Sequence, residues 1–101
     1  MNQNKIYSLL GLAMKAGKVV SGEFATDKSV KTGTAMLVLV SVDASDNTKK
    51  KFRNMCEFYD VPVYFLSDKE TVGKSMGKEI RASLSIQDEN FAKAILNELA
   101  K

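Results

Sequence analysis

The segment Ser21 to Gly33 (SGEFATDKSVKTG) holds the groups best spaced to act on a ligand. With about 100° of helical turn per residue, Ala25, Thr26, Ser29 and Val30 share one side. They are small or apolar and suit packing on a sheet. Phe24, Lys28 and Lys31 fall at i, i+4 and i+7 on the other side, so two cations and an aromatic line one helical edge. The first N–H groups of that helix lie just behind Gly22 and carry partial positive charge. Such a terminus takes phosphate or fits a groove, and a glycine lets another backbone come close. The same residues also suit a short surface helix with Phe24 folded back onto the body.

Other candidate chemistry is weaker. Lys49-Lys50-Lys51-Phe52-Arg53 is the densest basic run, but on a helix its cations point several ways and Phe52 points inward, which reads as a solvated face. Gly73-Lys74-Ser75-Met76-Gly77-Lys78 has too few residues between its glycines for a phosphate loop, and Glu79 stands where that loop needs Ser or Thr. Its glycines read as a close packing position and a helix stop. Cys56 lies on an apolar helical stripe and reads as a core thiol. With one Cys and no His, the monomer offers no zinc set, no disulfide framework and no His-based nucleophilic catalysis. Asp43, Asp46, Asp60 and Asp68 fall at turns and strand ends, where carboxylates cap and solvate, so no acid–base pair stands out. No catalytic residue, metal or cofactor is expected.

The elements that must position these groups follow from periodicity. The chain has 101 residues and a formal charge of +3, enough for one domain over 1–101. The balance is +5 over residues 1–53 and −2 over 54–101, so the basic half suggests a polyanion partner on one face. Helices are predicted from Asn4 to Ala16, about Glu23 to Thr32, Ser45 to Tyr59, Lys69 to Met76, and from Asp88 onward. Strands are predicted at Val19-Val20, Ala35 to Ser41, Val61 to Leu66 and Ala82 to Ile86. The apolar run Ala35 to Ser41 implies burial on both faces, and Pro62 suggests an edge strand or a strand start. The third helix carries a stripe of Phe52, Met55, Cys56 and Tyr59; the last carries Phe91, Ala92, Ile95, Leu96 and Leu99. The alternation predicts an α/β fold, a three-layer α/β/α sandwich of about five helices around a small mixed four-stranded sheet. No apolar run reaches the roughly 18 residues of a membrane span. The polar start Met1-Asn2-Gln3-Asn4-Lys5 is unlike a signal peptide, and the free Cys fits a cytoplasmic protein.

Taken in order, the segments resemble the ribosomal L-seven-Ae family of kink-turn RNA-binding proteins, in particular its small bacterial YlxQ-like branch. The resemblance runs through Leu9-Leu10-Gly11-Leu12-Ala13, Lys18-Val19-Val20-Ser21-Gly22-Glu23, Ala35 to Val40 and Asp43-Ala44-Ser45-Asp46-Asn47-Thr48. It continues through Val61-Pro62, Val72 to Glu79 and Phe91-Ala92. It implies a non-catalytic RNA-binding protein for kink-turn or similarly bent, G·A-paired RNA. It also implies a monomer associated with ribosomes or translation.

By the same resemblance, the loop and helix from Ser21 to Lys31 enter the groove beside tandem G·A pairs. A second loop, Lys78-Glu79-Ile80-Arg81-Ala82, covers the bulged nucleotide. Lys18, Lys28, Lys31 and Arg81 are then expected at phosphates, Gly22 and the helix terminus against the paired region, and Ile80 on the bulge. Where members carry an Asn-Glu pair that reads guanines, this chain has Phe24 and Ala25. Glu23, with Thr26, becomes the candidate for base edges, and Phe24 for stacking. The competing reading keeps the fold but makes it a ribosome- or transcription-associated protein adaptor that has lost kink-turn selectivity. A small-molecule enzyme has no positive support.

Overall fold

Leu37–Val40 is strand β2, and its alternation sets up the layers. Leu37 and Leu39 point to one face of the sheet and Val38 and Val40 to the other, and all four are buried. The structure, a computed structural model, describes residues 3–101; Met1 and Asn2, part of the polar start, lie outside the described residues. Around β2 the chain runs α1 (Gln3–Lys15), β1 (Val19–Ser21), α2 (Glu23–Lys31), then α3 (Asp46–Tyr59), β3 (Val63–Phe65), α4 (Lys69–Ser75), β4 (Ser83–Ile86) and α5 (Glu89–Leu99). The sheet order is β1-β4-β2-β3, with β2 and β3 parallel and the other two pairings antiparallel. The expected five helices around a mixed four-stranded sheet are present, and β3, which follows Pro62, is an edge.

Two cores follow. On one face, Ile6, Leu10, Val72, Met76, Ala92 and Ile95 of the α1, α4 and α5 layer meet Leu37, Leu39, Leu84 and Ile86. On the other, Val30 of α2 and Phe52 and Cys56 of α3 meet Val38 and Val40. Strand β4 is unlike β2: Leu84 and Ile86 enter the first core, while buried Ser83 and Ser85 line the face under α2. These small side chains let α2 sit close to the sheet, and Ser29 and Ser85 share a hydrogen bond at 2.8 Å.

Side chains cap the starts of α3, α4 and α5, at Ser45 and Asp88 as the sequence suggests and also at Asp68. Ser45 Oγ accepts from Thr48 N–H at 3.2 Å, Asp68 Oδ1 from Thr71 N–H at 2.7 Å and Asp88 Oδ2 from Phe91 N–H at 2.9 Å. Asp88→Ala should lower stability by about 1 kcal/mol in urea unfolding, because it strands an N–H of α5. Two expected core residues are not in the core: Met36, in the run read as buried on both faces, is 41% exposed just before β2, and Tyr59 lies outside the α3 core. Tyr59 ends α3 next to Asp60, which turns the chain with φ 59°; the residue is 42% exposed, with its ring edge-on to Phe58. The stripe at that turn has run past the buried face.

Cys56 is the expected core thiol, and burial pushes its pKa up to about 11. Its alkylation should therefore track unfolding; rapid labelling of the native chain would contradict its place in the core.

Candidate nucleic-acid interface

The site begins where β1 hands over to α2. Ser21 pairs with Leu84, and Gly22 N–H donates to Ser83 O at 2.9 Å. Gly22 has φ 94° and ψ 158°, a conformation open to glycine and strained for other residues. Space is not the constraint, since a Cβ there meets nothing within 4 Å. No side chain caps α2, and its first helical bond is from Thr26 N–H to Gly22 O at 3.0 Å. The N–H groups of Glu23, Phe24 and Ala25 are left open to an acceptor outside the chain.

The segment between α4 and β4 lies against this junction. Arg81 Nε donates to Ser21 Oγ at 3.0 Å, and Arg81 Nη1 to Ile80 O at 2.8 Å. Arg81 N–H also donates to Lys69 O at 3.1 Å, tying the segment to the start of α4. Gly73 makes the close approach possible. A Cβ at that position lies 2.2 Å from Glu79 O and 2.7 Å from Glu79 C. Glu79 is exposed, and Ile80 holds an apolar side chain 59% exposed in solvent.

Charge divides the two flanks of α2. Toward α3, Lys51 Nζ lies 2.9 Å from Asp27 and 3.6 Å from Glu23, and Lys31 Nζ lies 3.1 Å from Asp27. Thr48 Oγ1 donates to Glu23 Oε1 at 3.1 Å. Both carboxylates of α2 thus turn to α3 and its cation, and Lys51 departs from the solvated-face reading. On the opposite flank Lys28 has no ion pair among the described residues, and Phe24 is 81% exposed, not folded back.

The hydrogen bonds from Lys51 and Lys31 hold the Asp27 carboxyl below its ordinary range. A depressed folded-state pKa gives stability that is present above the unfolded Asp value of about 3.9 and lost as pH falls through the folded one. Asp27→Asn should therefore flatten the acid side of the stability–pH curve, measured by urea unfolding between pH 5 and 2; an unchanged slope would show the pair to be uncoupled from folding.

The expected site residues are not all at one surface. Ser21, Gly22 and Arg81 are in hydrogen-bonded neighbourhood, with Ile80 beside Arg81. Lys18 is exposed at the entry to β1, where its carbonyl accepts from Gln87 N–H at 2.8 Å. Lys31 is exposed but shared with Asp27. Thr26 corrects the expectation of a base-edge contact. It is fully buried on the sheet side of α2, so its hydroxyl has no path to a base. Glu23 is exposed but engaged by Thr48 and Lys51, so using it on a base requires leaving them. Missing from the sequence reading is a polar cluster on the other flank, formed by Thr32, Thr34 and Gln87 with Ser29. The pairing of β1 with β4 brings Gln87 there.

An α/β/α sandwich with this junction defines a recognisable class. The model for the ribosomal protein L7Ae/L30e/S12e/Gadd45 family matches residues 4–97, and the chain belongs to that family. Within it, the chain is similar to "RNA-binding protein YlxQ" of Bacillus subtilis (strain 168), 41% identical over 93 residues, which are 92% of this chain and 93% of that protein. A protein of the same name from Enterococcus faecium is 39% identical over 92 residues, 91% of this chain and 88% of that one. Among solved structures, a protein with unknown function from Bacillus halodurans C superposes with a TM-score of 0.93 at 33% identity, covering 96% of this chain and 98% of that one. The Giardia lamblia 15.5kD RNA binding protein has a TM-score of 0.83 at 21% identity, covering 97% and 87%, and shares the fold. Among the described residues no helix is long and apolar enough to cross a membrane, and no group of His, Cys, Asp and Glu could hold a metal ion.

Proposed function

We propose that this chain binds RNA, recognising a kink-turn or similarly bent, G·A-paired element, in the cytoplasm and in association with the translation machinery. One observation carries the reading: Arg81 bonded to Ser21 draws the Ile80 segment against the uncapped start of α2. Open N–H groups and Lys28, which has no ion pair among the described residues, suit phosphate, and exposed Ile80 suits an unstacked base. Both curated relatives described above are named as RNA-binding proteins, which supports the same reading.

The test is a bend. A two-stem RNA carrying donor and acceptor dyes at its stem ends should pass from low to high energy transfer as protein is added. Binding with no change in transfer would contradict recognition of a bent element.

A protein-adaptor role is favoured by Phe24 and Ala25, which cannot supply the amide and carboxylate of the family's guanine-reading pair. Partners that survive ribonuclease treatment would support it; their loss would support RNA.

A further inference from the structure

Phe24 and Lys28 border an open concavity of about 440 Å³ on the flank of α2 that faces away from α3. Val20 and Ala25 give it an apolar wall, and Ser29, Thr32, Thr34 and Gln87 a polar one. The polar wall is ordered. Gln87 Nε2 donates to Ser29 Oγ at 3.0 Å and to Thr34 Oγ1 at 3.2 Å. Thr34 Oγ1 reaches Ser29 Oγ at 2.9 Å and Ser29 O at 3.2 Å, and with its proton on either it accepts from Gln87. With Nε2 on these two hydroxyls, Gln87 Oε1 is left as an acceptor with no partner among the described residues. The concavity thus offers an exposed aromatic face, a cation without an ion pair among the described residues, and the Gln87 Oε1 acceptor.

We infer that this concavity is a subsite for one unpaired nucleotide of a bound RNA, outside the G·A-paired region. Its base stacks on Phe24, its phosphate meets Lys28, and an exocyclic amine donates to Gln87 Oε1. The inference rests on the RNA-binding reading and adds a second contact to it. An amine at the base edge favours adenine or cytosine over uracil, whose N3–H is flanked by two carbonyls that repel Oε1.

The test is a titration of the 15N-labelled full chain with AMP, CMP, UMP, inorganic phosphate and an adenosine tetranucleotide, followed by amide shifts. AMP and CMP should move the Gln87 side-chain amide and the backbone signals of Phe24, Thr32 and Thr34, with UMP about fivefold weaker. The tetranucleotide should move the same signals at lower concentration. Phe24→Ala should weaken the effect about tenfold and Phe24→Tyr should retain it; both side chains lie in solvent, so the fold is not at risk. Equal shifts with inorganic phosphate alone would reduce the site to an anion contact and overturn the subsite. Shifts with AMP but none with the tetranucleotide would overturn an RNA-borne nucleotide. Silence at Gln87 and Thr34 in a chain that still binds kinked RNA would remove the subsite and leave the main reading standing. Nucleotide shifts without binding of kinked RNA would do the reverse.

Discussion

Lys28→Glu should weaken binding of a kinked RNA on the order of a hundredfold, and no other single charge should matter as much. The reason lies in the charge division across α2. Lys31 and Lys51 are shared with Asp27, and Lys51 also meets Glu23, so their charges are partly spent inside the protein. Lys28 has no such partner among the described residues and sits one turn along from the open N–H groups. Reversal removes a phosphate contact and sets a carboxylate against the same phosphates. The slope of log affinity against log salt should become shallower by about one or more, because at least one fewer counterion is released. Lys31→Glu should cost several-fold less. Equal losses for the two variants would show that the face acts by total charge and not through Lys28.

Gly73→Val should both destabilise the chain and misplace the Ile80 segment. Even one added carbon meets the Glu79 carbonyl at 2.2 Å, which is backbone and cannot rotate away. Either α4 lifts from α1 or the 78–82 segment moves out. Overpacking of this kind costs about 1–3 kcal/mol, and the branched side chain should reach the upper end. If the segment moves, Arg81 loses Ser21, and RNA affinity should fall in the fraction that remains folded. Gly77→Ala is the comparison. Gly77 has φ 71° but open space, so that variant should carry strain alone and leave affinity largely intact. A Gly73→Val chain with wild-type unfolding midpoint and affinity would contradict the packing described here.

Much of this architecture is legible in local pattern. The run around Val38 announces a strand buried on both faces, and Ser45 and Asp88 announce helix starts. The helical wheel of α2 already sets Thr26 with Ser29 and Val30 on the packing side. Its burial is therefore the wheel's own prediction, and the base-edge role conflicted with it from the start. What local pattern does not carry is contact between distant segments. Glu23 is held by Thr48, 25 residues away, and Ser29 meets Gln87 across 58. Both depend on sheet order. Glu98 falls on the buried face of α5 by spacing from Ile95, yet a carboxylate there is tolerated only because Lys101 at 2.7 Å and Lys5 at 3.7 Å meet it. The glycine at position 73 was readable as a close-packing residue, but the loop that it admits was not.

The central claim is that this surface reads a bent, G·A-paired RNA. The most direct measurement is a titration of the chain into a kink-turn RNA and into the same RNA with its G·A pairs changed to Watson–Crick pairs, at two salt concentrations. Tight binding to the kinked RNA, with a large loss on the paired control at both salts, is the predicted result. Equal and strongly salt-dependent binding to both would mean a generic basic face, and no binding to either would bring the adaptor role forward; each would contradict the claim.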